Sequence, residues 1–209
     1  MSGNLTLYTN PMSRGRIVRW MLEEVGQPYR TVYLDYGSSM KEADYLAINP
    51  MGKVPAIVHG DHIVTEAAAI CAYLADAFPD DGLAPPVNER ADYYRWLFFA
   101  AGPLESALSA RLLGAEPDEK QQMTVGFGSL AAVLDTLEKA LTDRDYIAAE
   151  RFSAADVYVG SQIGWGLMFG TMDKRPAFAR YWDRLNARQA HQRATELDDA
   201  AMKESEGQG

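Results

Sequence analysis

A chain of 209 residues with a formal charge of -9 and a single cysteine excludes several classes of protein before any motif is read. Phosphate backbones are bound through clustered positive charge, so the acidic balance argues against nucleic acid as a partner. Cys71 alone cannot form an internal disulfide and suits a reducing compartment, the cytoplasm. No uncharged apolar run approaches the roughly 20 residues that span a bilayer, and Met1 to Asn4 carry no basic region followed by an apolar core, so no membrane partner is expected.

Leu5 to Thr9 reads as a short strand that Asn10-Pro11-Met12-Ser13 breaks. Ile17, Trp20, Met21 and Val25 then recur at helical spacing, which predicts a helix from near Ser13 to Gly26. Arg14, Arg16 and Arg19 on it form a local basic group, either a solvated helix face or an attraction for a small anionic substrate. Tyr29 to Leu34 reads as a second strand, and Met40 to Ile48 as a short helix closed by Asn49-Pro50.

Two β-branched runs, Ala56 to His59 and His62 to Thr65, flank Gly60-Asp61 and predict an antiparallel hairpin, with His59 and His62 facing each other across it. Pro55 at the head of the first strand is either a plain boundary or a cis peptide that turns the Val54 backbone toward an extended ligand. Thr65 is expected to cap the helix that follows, where free N–H groups and the helix dipole favour an anion. Glu66 on its first turn is stabilising there, or receives a ligand's ammonium group. The order β-α-β-α-β-β-α is compatible with a thioredoxin-like layer of helices on a mixed sheet, its first two strands parallel. No Cys-x-x-Cys pair is present for thiol–disulfide exchange.

Phe78-Pro79-Asp80-Asp81-Gly82 ends this half, and Ala84 to Val87 reads as a linker, which sets the domain boundary near residue 82. Asn88 is the expected cap of a long helix carrying Tyr93, Tyr94, Trp96, Leu97 and Phe98, bent at Gly102-Pro103 and continuing to Leu113. Leu130, Val133, Leu134, Leu137 and Leu141 make an apolar helical stripe. Phe152-Ser153-Ala154-Ala155-Asp156-Val157 is a capping box with a hydrophobic staple. Gly160, Gly164 and Gly166 allow close helix approach, and Pro176 opens a last amphipathic helix with Phe178, Tyr181, Trp182 and Leu185. Lys203 to Gly209 have little to bury and are expected to be disordered. Cys71, in a helix between Ile70 and Ala72, reads as a buried inert thiol, and His59, His62 and His191 lack the spacing of a metal site.

Asn49 to Pro55 followed by Thr65 to Ile70 resembles the glutathione-binding segment of cytosolic glutathione transferases, and the Phe152 to Val157 box resembles the capping segment of their helical domain. The resemblance spans roughly the whole chain to about residue 190. It implies an α+β thioredoxin-like N-terminal domain, residues 1–82, with an all-α C-terminal helical domain, residues 83–209. It further implies glutathione as co-substrate, no metal, and a homodimer.

By the same resemblance, Val54 before a cis Pro55 pairs through its backbone with the cysteinyl part of glutathione. Lys53 lies beside it, and Glu66 with the backbone of Ala67 holds the γ-glutamyl group. Ala67 stands where the family usually has serine, so one hydroxyl contact is lost.

The family stabilises glutathione as its thiolate with a hydroxyl or thiol just after the first strand. Ser13 is the candidate here, with a helix cap as its structural alternative. Aligned on the helix that follows, the family's serine falls on Met12 and its cysteine on Arg14. Asn10, Arg14 and a backbone N–H therefore stay open beside Ser13, while Tyr8 on the strand reads as structural. The implied function is a glutathione transferase acting on small electrophilic or apolar substrates. The alternative is a non-catalytic binding protein of the same fold.

Overall fold

A computed structural model describes residues 5–206. Met1 to Asn4, where no leader pattern is read, and residues 207–209 of the expected disordered tail lie outside the described residues. The chain forms two compact units, one running to Asp81 and joined by the residues from Ala187 on, the other Gly82–Asn186.

In the first unit β1 (Leu5–Thr9), β2 (Arg30–Tyr33), β3 (Ala56–His59) and β4 (His62–Thr65) form one sheet in the order β2-β1-β3-β4. β1 and β2 run parallel, as a strand–helix–strand crossover requires, with Leu7 opposite Thr31. β1 and β3 are antiparallel with Leu7 opposite Ile57, and β3 and β4 form the expected hairpin with His59 opposite His62.

α1 (Gly15–Val25) and α3 (Ala67–Ala77) pack against each other and on the sheet. They bury Ile17, Val18, Trp20, Met21, Leu22, Ile70, Cys71 and Leu74. Gly26 ends α1 at φ 69 with its N–H on the Leu22 carbonyl, a left-handed cap that costs glycine little. A second cluster of Leu34, Met40, Tyr45 and Ala56 includes Tyr8 and Val54.

The single helix expected from Met40 to Ile48 is instead a 3₁₀ turn, Ser39–Lys41, and a short α2 (Ala43–Leu46), with Glu42 extended between them. Met40 and Tyr45, five residues apart, would diverge by about 140° on one helix. The break lets both reach the same cluster.

In the second unit α4 (Ala91–Phe99) follows Arg90 rather than Asn88, which lies in the 3₁₀ turn Val87–Glu89. The bend expected at Gly102-Pro103 is a π-helical turn, Ala100–Leu104, leading into α5 (Glu105–Leu112). Pro103 has no N–H for the α-helical ladder, and the wider turn absorbs the loss.

α6 (Leu130–Leu141) buries the expected stripe and is capped by Ser129, whose Oγ accepts the Ala132 N–H at 3.2 Å. α7 (Ala154–Phe169) is buried continuously from Ala154 to Gly164 and forms the centre of this unit. A Cβ on Gly164 would lie 2.6 Å from the Trp182 ring of α8 (Pro176–Asn186), so the close approach needs glycine.

α8 is not the last helix. α9 (Gln189–Glu206) follows, takes in Lys203 to Glu206 of the expected tail, and belongs with the first unit rather than with the helical domain expected from residue 83 on. Among the described residues no helix is long and apolar enough to cross a membrane.

Candidate functional site

The sheet register carries the sequence-predicted residues to one end of the first unit. Tyr8 pairs with Ala56, and Ala56 pairs with Thr65. One step further along each strand lie Asn10 after β1, Val54-Pro55 before β3, and Glu66-Ala67 after β4. The N-termini of α1 and α3 open at the same end, each with first-turn N–H groups that carry partial positive charge.

The loop into β3 is built by Asn49. Its Oδ1 accepts the Met51 N–H at 3.1 Å, its carbonyl accepts the Gly52 N–H at 2.8 Å, and its Nδ2 donates to the Lys53 carbonyl at 2.8 Å. Tyr45 also donates to that carbonyl, and burial pushes its hydroxyl up to about 12, which keeps it a donor. Gly52 has φ 56, and a Cβ there would lie 2.8 Å from the Met40 carbonyl oxygen. Lys41 closes the turn with its ammonium 2.9 Å from the Gly52 carbonyl. The Lys53 backbone is thus fixed from α2 while its side chain is exposed. The Val54–Pro55 bond is cis, the second of the two readings open from spacing.

Thr65 does not cap α3. It remains in β4, paired with Ala56, and the N-cap falls on Glu66 at φ 67 and ψ 116. Among the described residues Glu66 alone, of those that are not glycine, has positive φ. Such a backbone costs about 1–3 kcal/mol and persists where the surroundings impose it. Its side chain is exposed and makes no capping bond.

The turn after β1 closes on itself. The Asn10 amide donates to the Leu34 carbonyl at 2.8 Å and accepts the Met12 N–H at 2.9 Å. Ser13 donates its hydroxyl to the Asn10 carbonyl at 2.6 Å and accepts the Gly15 N–H at 2.9 Å. Ser13 therefore ties the turn to the start of α1, the structural half of the two readings. Gly15 is required there because a Cβ would lie 1.8 Å from Thr9 Oγ1.

The basic group near the N-terminus does not remain a free field. Arg16 bonds Asp199 at 2.6 Å and Arg19 bonds Asp198 at 2.7 Å, both acids on α9. Arg14 is exposed. Cys71 is buried, and burial pushes its thiol well up, which makes it a poor nucleophile. His59 bonds Tyr73 and stacks on Phe78. Among the described residues no three His, Cys, Asp or Glu side chains converge as a metal site requires. Sequence reasoning missed Lys41 and Tyr45, whose partners lie eight to eleven residues away across a loop.

Residues 3–76 match the family described as Glutathione S-transferase, N-terminal domain, and residues 96–189 match Glutathione S-transferase, C-terminal domain. The chain is 34% identical over 149 residues to glutathione S-transferase GstA of Escherichia coli O157:H7, spanning 69% of this chain and 73% of that protein. It is 32% identical over 209 aligned positions to glutathione S-transferase 3 of Zea mays, spanning 90% and 92% of the two chains. A solved sphingomonad glutathione S-transferase complexed with glutathione superimposes with a TM-score of 0.76 at 27% identity, over 93% of this chain and 98% of that one.

Proposed function

The chain belongs to the glutathione S-transferase family, and on that premise we propose an enzyme that binds glutathione and activates its thiol as a thiolate for attack on small electrophilic or apolar substrates. The observation that carries this reading is Glu66. A non-glycine residue held at positive φ, with an exposed carboxylate at a helix start and beside a hairpin end, is a costly arrangement that folding alone does not require.

Glutathione lies across Lys53, Val54, Pro55, Glu66 and Ala67 in this reading. The Glu66 carboxylate takes the ammonium of the γ-glutamyl head, and the N–H groups at the start of α3 take its carboxylate. The sulfur lies by Asn10 and Ser13 at the start of α1. There the thiol proton leaves to solvent and a donor stabilises the anion. A sulfur electron pair then forms the C–S bond as the substrate's leaving group departs with its own pair, or as the pair displaced onto an acceptor carbon takes a proton. Ser13 serves as that donor once its hydroxyl exchanges the Asn10 carbonyl for the sulfur. Arg14 and the backbone N–H groups of the turn are the other groups within the same segment.

We further propose a homodimer in the cytoplasm. Tyr94 and Phe98 are exposed on α4, which supports an apolar partner surface. Light scattering at micromolar concentration should give twice the 23.1 kDa of one chain. A non-catalytic glutathione-binding protein is the second reading, favoured by one observation: the Ser13 hydroxyl is already spent within its own turn. Calorimetric titration with glutathione, followed by a panel of thiol-conjugation and peroxide-reduction assays, decides between them. Binding with turnover is expected. Binding without turnover supports the second reading, and absence of binding removes both.

A further inference from the structure

α1 carries charge in an order that the helix would not choose for itself, and the first two-thirds of α9 carries the complementary order. α1 begins with Arg16 and Arg19 and ends with Glu23 and Glu24, whereas a helix dipole favours acids first and bases last. Arg188 and Arg193 stand at the entrance of α9 and Asp198 and Asp199 at its middle, ahead of Lys203 in its last turn, so base precedes acid along this stretch too. Laid antiparallel, the two satisfy each other. Arg16 meets Asp199 at 2.6 Å, Arg19 meets Asp198 at 2.7 Å, Glu23 meets Arg193 at 2.9 Å and Glu24 meets Arg188 at 2.6 Å. A parallel arrangement would set base against base. The pattern therefore belongs to the pairing, and it fixes both direction and register.

The pairing reaches the turn that precedes α1. The Arg19–Asp198 pair is nearly sealed from solvent, and the guanidinium also donates to Tyr29, Thr31 and Tyr33, which anchors α9 against β2 and its approach. One helical turn earlier, Arg16 splits its donors. Nε bonds the Pro11 carbonyl at 2.6 Å, inside the Asn10–Ser13 turn, while one terminal nitrogen bonds Asp199 and lies 3.1 Å from the Met202 sulfur. A single planar guanidinium thus joins α9 to the segment beside the sulfur site.

We infer that α9 is a clasp that positions the Asn10–Ser13 turn, with Arg16 as the positioning residue and Asp199 as the group that orients it. This rests on the reading above that the turn lies at the sulfur. Arg16 does not touch glutathione. It acts by holding Pro11, so that the donor meets the thiolate at the right place. The Arg16–Asp199 pair is partly solvated and contributes little to stability on its own, so it can be removed without unfolding the chain.

The test compares Asp199→Asn and Arg16→Gln with the parent, and adds Asp199→Glu as the conservative rescue and Arg193→Ala as a control at the far end of the same clasp. Three readouts are taken: calorimetric affinity for glutathione, thiolate absorbance of the bound peptide against pH, and amide exchange in the free protein at Met12, Ser13 and Gly15, whose N–H groups bond within the turn. Asp199→Asn and Arg16→Gln should speed exchange at these amides and move the thiol titration to higher pH. They should also lower kcat about tenfold, as displaced supporting groups do, with affinity and KM for glutathione within about twofold. Asp199→Glu should restore the parent values and Arg193→Ala should change none.

Unchanged exchange at the turn overturns the clasp. Faster exchange with an unmoved thiol titration overturns its positioning role, and so does an Arg193→Ala variant that behaves like Asp199→Asn, which would mark general loosening of α9. A parent that does not bind glutathione at all overturns the reading beneath the inference, and is recognised before any variant is compared.

Discussion

α7 and α3 each carry an acid in or next to their opening turn, and the two acids are placed under opposite conditions. Asp156 is fully buried and accepts from the Ile147 N–H, the Ser153 N–H and hydroxyl, and the Tyr181 hydroxyl, at 2.8 to 3.0 Å. Ser153 is extended, a conformation any residue adopts, and the reciprocal capping box closes. Glu66 is exposed, makes no capping bond, and sits at φ 67. One helix start spends its polar groups on the fold, and the other leaves them open at the cost of backbone strain. An acid whose bonds are complete within the chain stabilises it. An acid held open in a strained backbone is available to a ligand.

The comparison breaks most visibly at Asp156. Asp156→Ala leaves the Ile147 and Ser153 N–H groups and the Tyr181 hydroxyl buried without an acceptor, and should cost about 3–5 kcal/mol, read as a fall in the denaturant midpoint. Glutathione affinity of the remaining folded protein should not change. Loss of affinity at full stability would reverse the roles assigned to the two acids.

The same residue gives a pH signature of the next size. Burial pushes the Asp156 carboxyl up to about 6, above the ordinary carboxylate range, although its four donors pull the other way. The folded state thus holds this proton more tightly than the unfolded chain. Its contribution is fully present below about pH 4 and is lost as pH rises through about 6, by roughly 3 kcal/mol. Asp156→Asn removes that dependence. Subtracting its unfolding free energies from those of the parent between pH 4 and 7 should isolate a falling curve, since the other titrating groups are common to both. A rising difference would mean that the donors outweigh burial.

Glu66 sharpens the other side. A charge-assisted hydrogen bond contributes about 1.5–3 kcal/mol, so Glu66→Ala should weaken glutathione roughly ten- to a hundredfold in calorimetry with little change in folding stability. Glu66→Gly should bind as poorly as Glu66→Ala but unfold at higher denaturant, by about 1 kcal/mol, because glycine adopts positive φ without the penalty that alanine keeps. Equal stability of the two variants would show that the strain is not there. Tight binding by either would remove Glu66 from the site.

What the sequence revealed divides along the same line. The Ser153–Asp156 box was legible because its reciprocal bonds join residues three apart, although Ile147 and Tyr181 reach the same carboxylate from farther away, and the hairpin about Gly60-Asp61 and the glycine that ends α1 were legible for the same local reason. Residue preference favours Thr65 as the cap, whereas its pairing with Ala56 keeps it in β4 and passes the cap to a glutamate of lower preference. Asn88 failed in the same way, since the chain spends it on a 3₁₀ turn. α9 escaped notice because apolar periodicity is the main signal of a packed helix, and this one docks through charge pairs whose partners are more than 160 residues away. The clamp of Lys41 and Tyr45 on the loop before β3 was invisible for a related reason. It depends on where α2 breaks, and tertiary packing decides that.

Ser13 stands between the two extremes, and the smallest effect is expected there. Like Ser153, it has both hydrogen-bonding roles filled, donating to Asn10 and accepting from Gly15. Like Glu66, it lies at the end of the sheet where the residues proposed to hold glutathione converge. If its hydroxyl turns to the thiolate, it gives up the bond to the Asn10 carbonyl as it does so. The net gain is then the difference between a charge-assisted bond and a neutral one, about 1 kcal/mol rather than the full value. Ser13→Ala should therefore move the thiolate titration of bound glutathione to slightly higher pH and slow conjugation about fivefold, with affinity nearly intact because the proposed contacts to the peptide come from the loop before β3 and from α3. Stability should fall by a comparable amount, since the Gly15 N–H loses its acceptor. The two losses separate when measured on the same variant. An unmoved thiolate titration with lowered stability would make Ser13 a helix-start residue of the Ser153 kind, and would pass the activating role to Asn10, Arg14 or a backbone N–H of the turn. A moved titration with unchanged stability would place it with Glu66, as a group held for the ligand.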